Sequence, residues 1–196
     1  MHPYATDSDE RRVIPLLLGL VALALGFLAH ALITASDVDV PWWLDIPAPL
    51  ALYGLLWSGF DRIAWHWSAW RRLKLIRTPD YRGDWVLEGQ SDYESATRFS
   101  GRAGIRQTWT RMSIEVETEY SRSHTLTASV LLDPSARPLL MYEYLSEPKA
   151  GSVDTLQAHR GTAWLELASD GNLSGEYYAG RGSRNAGTFR LTRAEA

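Results

Sequence analysis

Aromatic and arginine side chains are the residues of this sequence with the clearest potential for binding chemistry. Tyr142 and Tyr144 fall on one face of a predicted strand, and Tyr177 and Tyr178 fall in another. Aromatic rings stack on nucleobases, and the guanidinium group of arginine forms paired hydrogen bonds with phosphate oxygens. Such a set suits a ligand that carries both bases and phosphates. The predicted ligand-binding residues are Trp109, Arg111, Tyr142, Tyr144, Arg160, Tyr177, Tyr178, Arg181 and Arg184.

The same residues also have a purely structural interpretation. Tyrosine and tryptophan are common in strands and fill the interiors of β domains. Lysine supplies only Lys74 and Lys149 among the 20 basic residues, and this preference for arginine can be genomic rather than functional. For any single residue of the set, packing inside a β domain is the default expectation.

Little else in the sequence indicates chemistry. The chain has no cysteine, which excludes disulfides, cysteine-ligated zinc, iron–sulfur clusters and thiol nucleophiles. The 5 histidines show no metal-ligand spacing, and no GxSxG elbow or pair of catalytic carboxylates can be identified. A net charge of −3 disfavours nonspecific binding to DNA or RNA polymers. We therefore expect a protein without catalytic activity, metal or cofactor.

The glycine-rich residues 180–187 resemble a phosphate-binding loop only in their glycine content. They lack the lysine and the strand–turn–helix setting that such a loop needs. A hairpin turn explains the glycines better.

Short strands must position the aromatic set. A domain boundary is predicted at Pro79. The residue before a proline disfavours the helical conformation, and short alternating apolar runs begin at Tyr81. Residues 108–117 alternate clearly, with Met112, Ile114 and Val116 on one face. We expect seven or eight strands within residues 81–196, in a sandwich or a barrel. A small antiparallel up-and-down β-barrel is favoured because closure removes exposed edges.

Residues 13–33 form an apolar segment that predicts a first transmembrane helix. Its 21 residues carry no formal charge, and about 20 apolar residues span the hydrocarbon of a bilayer. A cleaved signal peptide is the alternative, since two arginines precede the segment and the small residues Ala29 and Ala31 lie near its end. The apolar stretch is longer than the 7–15 residues of a normal signal peptide core.

Residues 46–65 predict a second, weaker transmembrane helix. The apolar run is short, and a buried core helix would fit it if the flanks were ignored. Tryptophans cluster at both ends, as in the aromatic belts of a membrane helix. The six tryptophans of this region are Trp42, Trp43, Trp57, Trp65, Trp67 and Trp70.

The charges beside the two segments predict their orientation. Arginines precede residue 13 and follow residue 60, whereas residues 34–45 hold three aspartates and no basic residue. Both termini are therefore expected in the cytoplasm. The predicted layout is a cytoplasmic N-terminus (1–12), helix one (13–33), an extracytoplasmic loop (34–45), helix two (46–65), a basic aromatic connector (66–80) and an all-β cytoplasmic domain (81–196).

This layout resembles the SMODS-associating two-transmembrane, β-strand-rich effectors of CBASS antiphage defence, over nearly the full chain. Each motif that carries the resemblance is short, and the order of the motifs behind two apolar segments is moderately specific. The motifs are YRGDW at 81–85, QTWT at 107–110, YEY at 142–144, HRGTAWL at 159–165, LSGEYY at 173–178 and GTFRL at 187–191.

The resemblance implies a function that composition does not supply. It implies a β-barrel that binds a cyclic oligonucleotide made on phage infection, a homo-oligomer in the bacterial inner membrane, and membrane disruption that kills the infected cell. The implied partners are the cyclic oligonucleotide, the lipid bilayer and further copies of the chain. The alternatives are a membrane-tethered lipocalin-like carrier of an apolar ligand and an exported, signal-cleaved β domain.

Overall fold

The computed structural model describes residues 1–36, 47–92, 97–133, 135–150, 157–180 and 185–194. The chain divides into two compact units. One unit consists of Ser8–Arg77, and the other combines Met1–Asp7 with Thr78–Ala196.

The Ser8–Arg77 unit is helical. Helix α1 covers Glu10–Ala35, α2 covers Pro47–Arg62, a 3-10 turn covers Ala64–His66, and α3 covers Ser68–Arg72. Helix α1 tolerates Pro15 in its second turn, close to the N-terminal residues whose N–H groups lack helical partners. The two longer helices approach closely at Gly26, where a Cβ atom would lie 3.2 Å from Cγ of Pro49.

Among the described residues, α1 is the one helix long and apolar enough to cross a membrane. Most of its large apolar side chains are exposed, as expected of a helix that has lipid as its solvent. The prediction of a first apolar helix is confirmed.

The second predicted span differs from the structure. Helix α2 has 16 residues and ends at Arg62 instead of continuing to residue 65. About 20 residues are needed to span hydrocarbon, so α2 by itself is short, and a second span is not shown. Trp65, which was predicted to belong to an aromatic belt, is completely buried, whereas Trp67 is exposed. Trp42 and Trp43 lie outside the described residues.

The other unit is an eight-stranded antiparallel β-barrel, as the alternating pattern predicted. Each strand pairs with the next along the chain, and β10 pairs with β3 to close the barrel in an up-and-down order. The strands are β3 (Gly83–Ser91), β4 (Arg98–Gln107), β5 (Arg111–Thr118), β6 (Ser121–Leu131), β7 (Leu139–Pro148), β8 (His159–Leu167), β9 (Leu173–Ala179) and β10 (Ala186–Arg193).

Two further short strands precede α1 and were not indicated by the sequence pattern. Strand β1 (His2–Pro3) pairs with β5, and β2 (Ala5–Thr6) pairs in parallel with β6. We call residues 1–7 the arm. Its Tyr4 belongs to the buried core of the barrel. Two- or three-residue strands carry no period of their own, so only the pairing partner makes them recognisable.

The core of the barrel also buries Tyr81, whose hydroxyl has no hydrogen-bond partner among the described residues. A buried hydroxyl without a partner costs about 1–3 kcal/mol. We therefore expect Tyr81→Phe to leave the free energy of unfolding unchanged or to raise it by about 1 kcal/mol. Thermal unfolding of the two proteins measures the difference. A clear loss of stability would show that the hydroxyl has a partner, such as a bound water.

Candidate ligand-binding site

The two ends of the barrel are filled differently. At the end where β4 passes into β5, inward positions carry large apolar residues such as Trp85, Ile105 and Met112. We call this end the base. The opposite end, which we call the mouth, is formed by the end of β3 at Ser91, the end of β7 at Pro148 and the start of β8 at His159. Inward positions near the mouth carry aromatic and polar side chains, such as Tyr144, Tyr177 and Ser91, so this end offers ring faces and hydrogen-bonding groups.

Tyr142 and Tyr144 of β7 point into the barrel near the mouth, since alternate residues of a strand face the same side. Their ring centroids lie 6.1 Å apart, and the ring of His159 lies 6.4 Å from that of Tyr144 at 77°. The Tyr144 hydroxyl is close enough to Tyr177 for an electrostatic effect on its pKa. The inward tyrosines of β7 and β9 therefore face a common space.

A second group of rings lies on the wall formed by β9, β10, β3 and β4. The ring of Tyr177 lies 5.9 Å from that of Phe99 and 6.0 Å from that of Phe189. Both pairs have edge-to-face geometry, which aromatic rings favour. Phe99, Phe189 and His159 were not among the predicted site residues, although the strand alternation that predicted Tyr144 places them on the inner face too.

Glycines on neighbouring strands make room for three of these rings. A Cβ atom at Gly89 would collide with the Phe99 ring, and one at Gly161 would collide with the Tyr144 hydroxyl. At Gly187 a Cβ atom would lie 2.7 Å from the Tyr177 ring. Rings that lie across a glycine on the adjacent strand are held against the sheet. Each of the three rings therefore packs against the backbone of a glycine on the neighbouring strand.

Hydrogen-bonding groups surround Tyr177. The Ser91 hydroxyl donates to Oδ1 of Asn185 over 2.6 Å, and Tyr177 forms side-chain hydrogen bonds with both residues. Burial raises the pKa of Tyr177 despite the opposing effect of these hydrogen bonds. Burial also raises the pKa values of Tyr142 and Tyr144. The hydroxyls are therefore neutral near pH 7 and can donate hydrogen bonds to an anion.

Of the predicted site residues, the structure brings three together, namely Tyr142, Tyr144 and Tyr177. Tyr178, the next residue along β9, points outward. It is 44% exposed, donates to Glu176 over 2.8 Å and packs against Trp164 with centroids 5.4 Å apart. Arg160 is exposed on the outer face of β8 near the mouth.

The remaining predicted residues lie elsewhere. Trp109 is completely buried in the turn between β4 and β5, and not on a strand as predicted. Arg111 begins β5 opposite Pro3, so both residues lie at the base, away from the tyrosines. Arg181 and Arg184 lie outside the described residues. A ligand role stays a prediction for every residue of the set.

A groove of about 380 Å³ opens elsewhere, on the outer wall beside the arm. Its lining combines opposite charges, with Arg106 and His124 near Glu115, and it includes Met1 and His2 of the arm. It has no aromatic platform beyond the histidine rings. The mouth is the better candidate site because stacking needs several fixed ring faces. Within the described part of the chain, no three His, Asp or Glu side chains converge as metal ligands.

Comparison with known proteins places the barrel in a described family of domains. Residues 76–193 match the family described as "Cap15, cyclic dinucleotide receptor domain". The chain is 28% identical over 189 residues to the CD-NTase-associated protein 15 of Yersinia aleksiciae, covering 91% of this chain and 89% of that protein. It is 26% identical over 173 residues to the protein of the same name from Staphylococcus schleiferi, covering 84% and 87% of the two chains.

Proposed function

Since this chain belongs to the family of Cap15 cyclic dinucleotide receptor domains, we propose that its barrel binds a cyclic dinucleotide at the mouth. Family membership supports a cyclic nucleotide receptor that works within a CBASS antiphage system. We further propose that the chain is the membrane effector of such a system, as its apolar helix α1 suggests.

The observation that carries the proposal is the group of inward rings gathered near one end of the barrel. Tyr144 and Tyr177 lie across Gly161 and Gly187, so their positions are fixed before a ligand arrives. Fixed aromatic faces stack on bases, each stacked base contributing about 1–3 kcal/mol. A preorganised site of this kind avoids the entropy cost of ordering its side chains on binding.

The polar groups of the mouth suit the phosphates of the same ligand. The neutral hydroxyls of Tyr144 and Tyr177, together with the side-chain NH₂ group of Asn185, can donate to phosphate oxygens without a buried positive charge. Such neutral donors bind phosphate more weakly than arginine does. Arg160, Arg181 and Arg184 stay candidates for charge pairing, since all three belong to β8 or to the segment between β9 and β10.

We propose that binding leads to oligomerisation in the bacterial inner membrane, to membrane disruption and to death of the infected cell. A ligand shifts such an equilibrium only if it binds the assembled state more tightly than the resting state. A shift from 1:99 to 99:1 needs about 5.5 kcal/mol of differential binding. The proposal includes two membrane passes with both termini in the cytoplasm, no catalysed reaction and no cofactor.

The proposal is tested by titrating the full-length chain, in detergent or nanodiscs, with a panel of cyclic di- and trinucleotides. We expect saturable binding of at least one cyclic dinucleotide, measured by calorimetry, with a Kd of about 1 μM or tighter, equivalent to about −8 kcal/mol. The linear dinucleotide of the same bases is the control, and its affinity should be lower because it must be ordered on binding.

Two results would contradict the receptor function. One is the absence of saturable binding to any member of the panel. The other is tight binding of an apolar probe, such as a fluorescent fatty acid, that no cyclic nucleotide displaces. The second result would favour the lipocalin-like carrier.

A further inference from the structure

The chain passes between its two compact units at only two points, after Asp7 and after Arg77. On the barrel side of these points lie the arm and the entry segment, which we define as residues 78–81. The arm is the shorter connection along the chain to α1, which begins at Glu10. The entry segment also leads to α1, because the Arg77 N–H donates to the Glu10 carboxylate over 2.7 Å.

The arm fills a gap in the barrel wall. Strands β5 and β6 pair only through Glu115–Glu117 and Arg122–His124, near the mouth. Next to this paired stretch, on the side of the base, the Thr125 hydroxyl forms hydrogen bonds with the backbone of Ile114. It accepts from the Ile114 N–H over 2.6 Å and donates to the Ile114 carbonyl over 2.7 Å. The register of β6 shifts there, and the two strands separate toward the base.

The arm is held in this gap by short strand pairings and by the packing of Tyr4 in the core. Strands β1 and β2 each pair over two residues, with β5 and β6 respectively. The Tyr4 N–H donates to the Thr110 carbonyl over 3.3 Å, and the Leu132 N–H donates to the Asp7 carboxylate over 2.8 Å. Strands this short have low local stability, so the arm can open without unfolding of the barrel.

The arm and the entry segment meet at one buried amide. The Gln107 side chain is only 4% exposed. Its nitrogen donates to the Tyr4 hydroxyl over 3.3 Å and to the Pro79 carbonyl over 3.1 Å. Its oxygen accepts from the Tyr81 N–H over 2.9 Å. The Gln107 amide therefore donates two hydrogen bonds and accepts one, and all three join it to the arm or to the entry segment.

Gln107 also lies at the base end of a strand that reaches the mouth. Phe99 and Gln107 are both inward residues of β4, one near each end. Phe99 contacts Tyr177 in the candidate site, and Gln107 contacts Tyr4. Strand β4 is paired with β3 and with β5 along its length, so it forms a continuous connection between the candidate site and Tyr4.

We propose that Gln107 is a coupling residue that holds the arm in its gap, and that ligand binding at the mouth releases the arm and thereby frees α1. The coupling step rests on the proposed function, whereas the hold of Gln107 on the arm does not. By linkage, a change that releases the arm also favours the ligand-bound state.

The hold is tested by hydrogen–deuterium exchange of the full-length chain in detergent, read by mass spectrometry at residues 1–7. We expect Gln107→Leu to raise exchange of the arm about tenfold without ligand, because the buried hydrogen bond to Tyr4 is lost together with the two that hold the entry segment beside the arm. Tyr4→Phe, which removes only the contact with the arm, should raise it by a smaller factor. Gln90→Leu on β3 is the same chemical change at a residue that contacts neither the arm nor the entry segment through a described hydrogen bond, and it should leave exchange of the arm unchanged.

The release step is tested with a disulfide, because the natural chain has no cysteine. Ala5 and Ser129 are paired residues of β2 and β6, so Ala5→Cys with Ser129→Cys can lock the arm to the wall. We expect cyclic dinucleotide to raise exchange of residues 6 and 7 in the reduced protein and not in the oxidised one. Reduction of the same sample should restore the response.

The outcomes separate the two proposals. Unchanged arm exchange in both Gln107→Leu and Tyr4→Phe would overturn the hold. If Gln107→Leu fails to fold, as judged by near-ultraviolet circular dichroism, Tyr4→Phe decides. Ligand binding without any change in arm exchange would overturn the coupling and leave the receptor function intact. Absence of ligand binding would remove the receptor function, while the comparison of ligand-free variants still tests the hold.

Discussion

Replacing Tyr177 by alanine is expected to weaken binding of the cyclic dinucleotide by about 5- to 150-fold, whereas replacing its neighbour Tyr178 should change affinity by less than about twofold. The two residues are adjacent on β9 and chemically identical. Tyr177 faces the interior against Phe99 and Phe189, and Tyr178 faces outward against Trp164. The pair therefore separates a role in the mouth from a general effect of losing a tyrosine from this strand.

Two controls make the result specific. Tyr177→Phe keeps the ring and removes the hydrogen bonds with Ser91 and Asn185, so we expect a smaller loss, about 2- to 12-fold. Thermal unfolding of each variant, measured without ligand, separates loss of the site from loss of the fold. Equal affinities for Tyr177→Ala and Tyr178→Ala, measured by calorimetry, would remove the interior of the mouth as the binding site.

The barrel could be predicted from the sequence because its strands follow a simple physical rule. A closed sheet with a filled interior alternates inward apolar and outward polar residues, and β5 shows this at Met112 and Ile114. The same alternation placed Tyr142 and Tyr144 on one face. Alternation also implies that Tyr177 and Tyr178 face opposite sides, as the structure shows.

The composition of the mouth could not be predicted because it depends on strand register. Tyr144 is positioned by Gly161 and Tyr177 by Gly187, and each pair joins residues on different strands. Trp109 followed the alternating pattern of residues 108–117 but lies in a turn, since β5 begins only at Arg111. The sequence does not show which end of a strand lies at which end of the barrel until the pairing is known.

The arm shows a different limit of sequence reasoning. Residues 1–6 are ordinary for a polar terminus, and they become strands because β5 and β6 separate after the Thr125 bulge and leave backbone groups to be paired. A buried N–H or carbonyl without a partner is costly, so a segment that can reach such a gap tends to fill it. The residues of β5 and β6 that create the gap are distant in sequence from the arm that fills it.

The largest effect on the whole protein is expected from Leu20→Arg combined with Leu23→Arg in α1, which should move the protein out of the carbonate-resistant membrane fraction. Both residues lie near the middle of Glu10–Ala35 and are exposed, at 63% and 50%, so the arginines meet the surroundings of the helix and do not disturb a core. An arginine at the centre of a membrane helix costs about 2.5–3.5 kcal/mol, hence about 5–7 kcal/mol for two. Helix α2, with 16 residues, is shorter than the roughly 20 residues that span hydrocarbon and by itself anchors the protein less firmly than α1.

The position of the arginines gives the matched control. Ile33→Arg with Thr34→Arg adds the same charge in the last turn of α1, where long basic side chains extend to the lipid headgroups, and this variant should stay in the membrane fraction. Because the barrel has its own buried core, the Leu20→Arg/Leu23→Arg protein should still bind cyclic dinucleotide saturably. If that variant stays carbonate-resistant, α1 does not anchor the protein. If this variant leaves the membrane fraction and also fails to bind the ligand, the two units do not fold independently. The proposed release of α1 by the arm would then be replaced by a rearrangement of a single body.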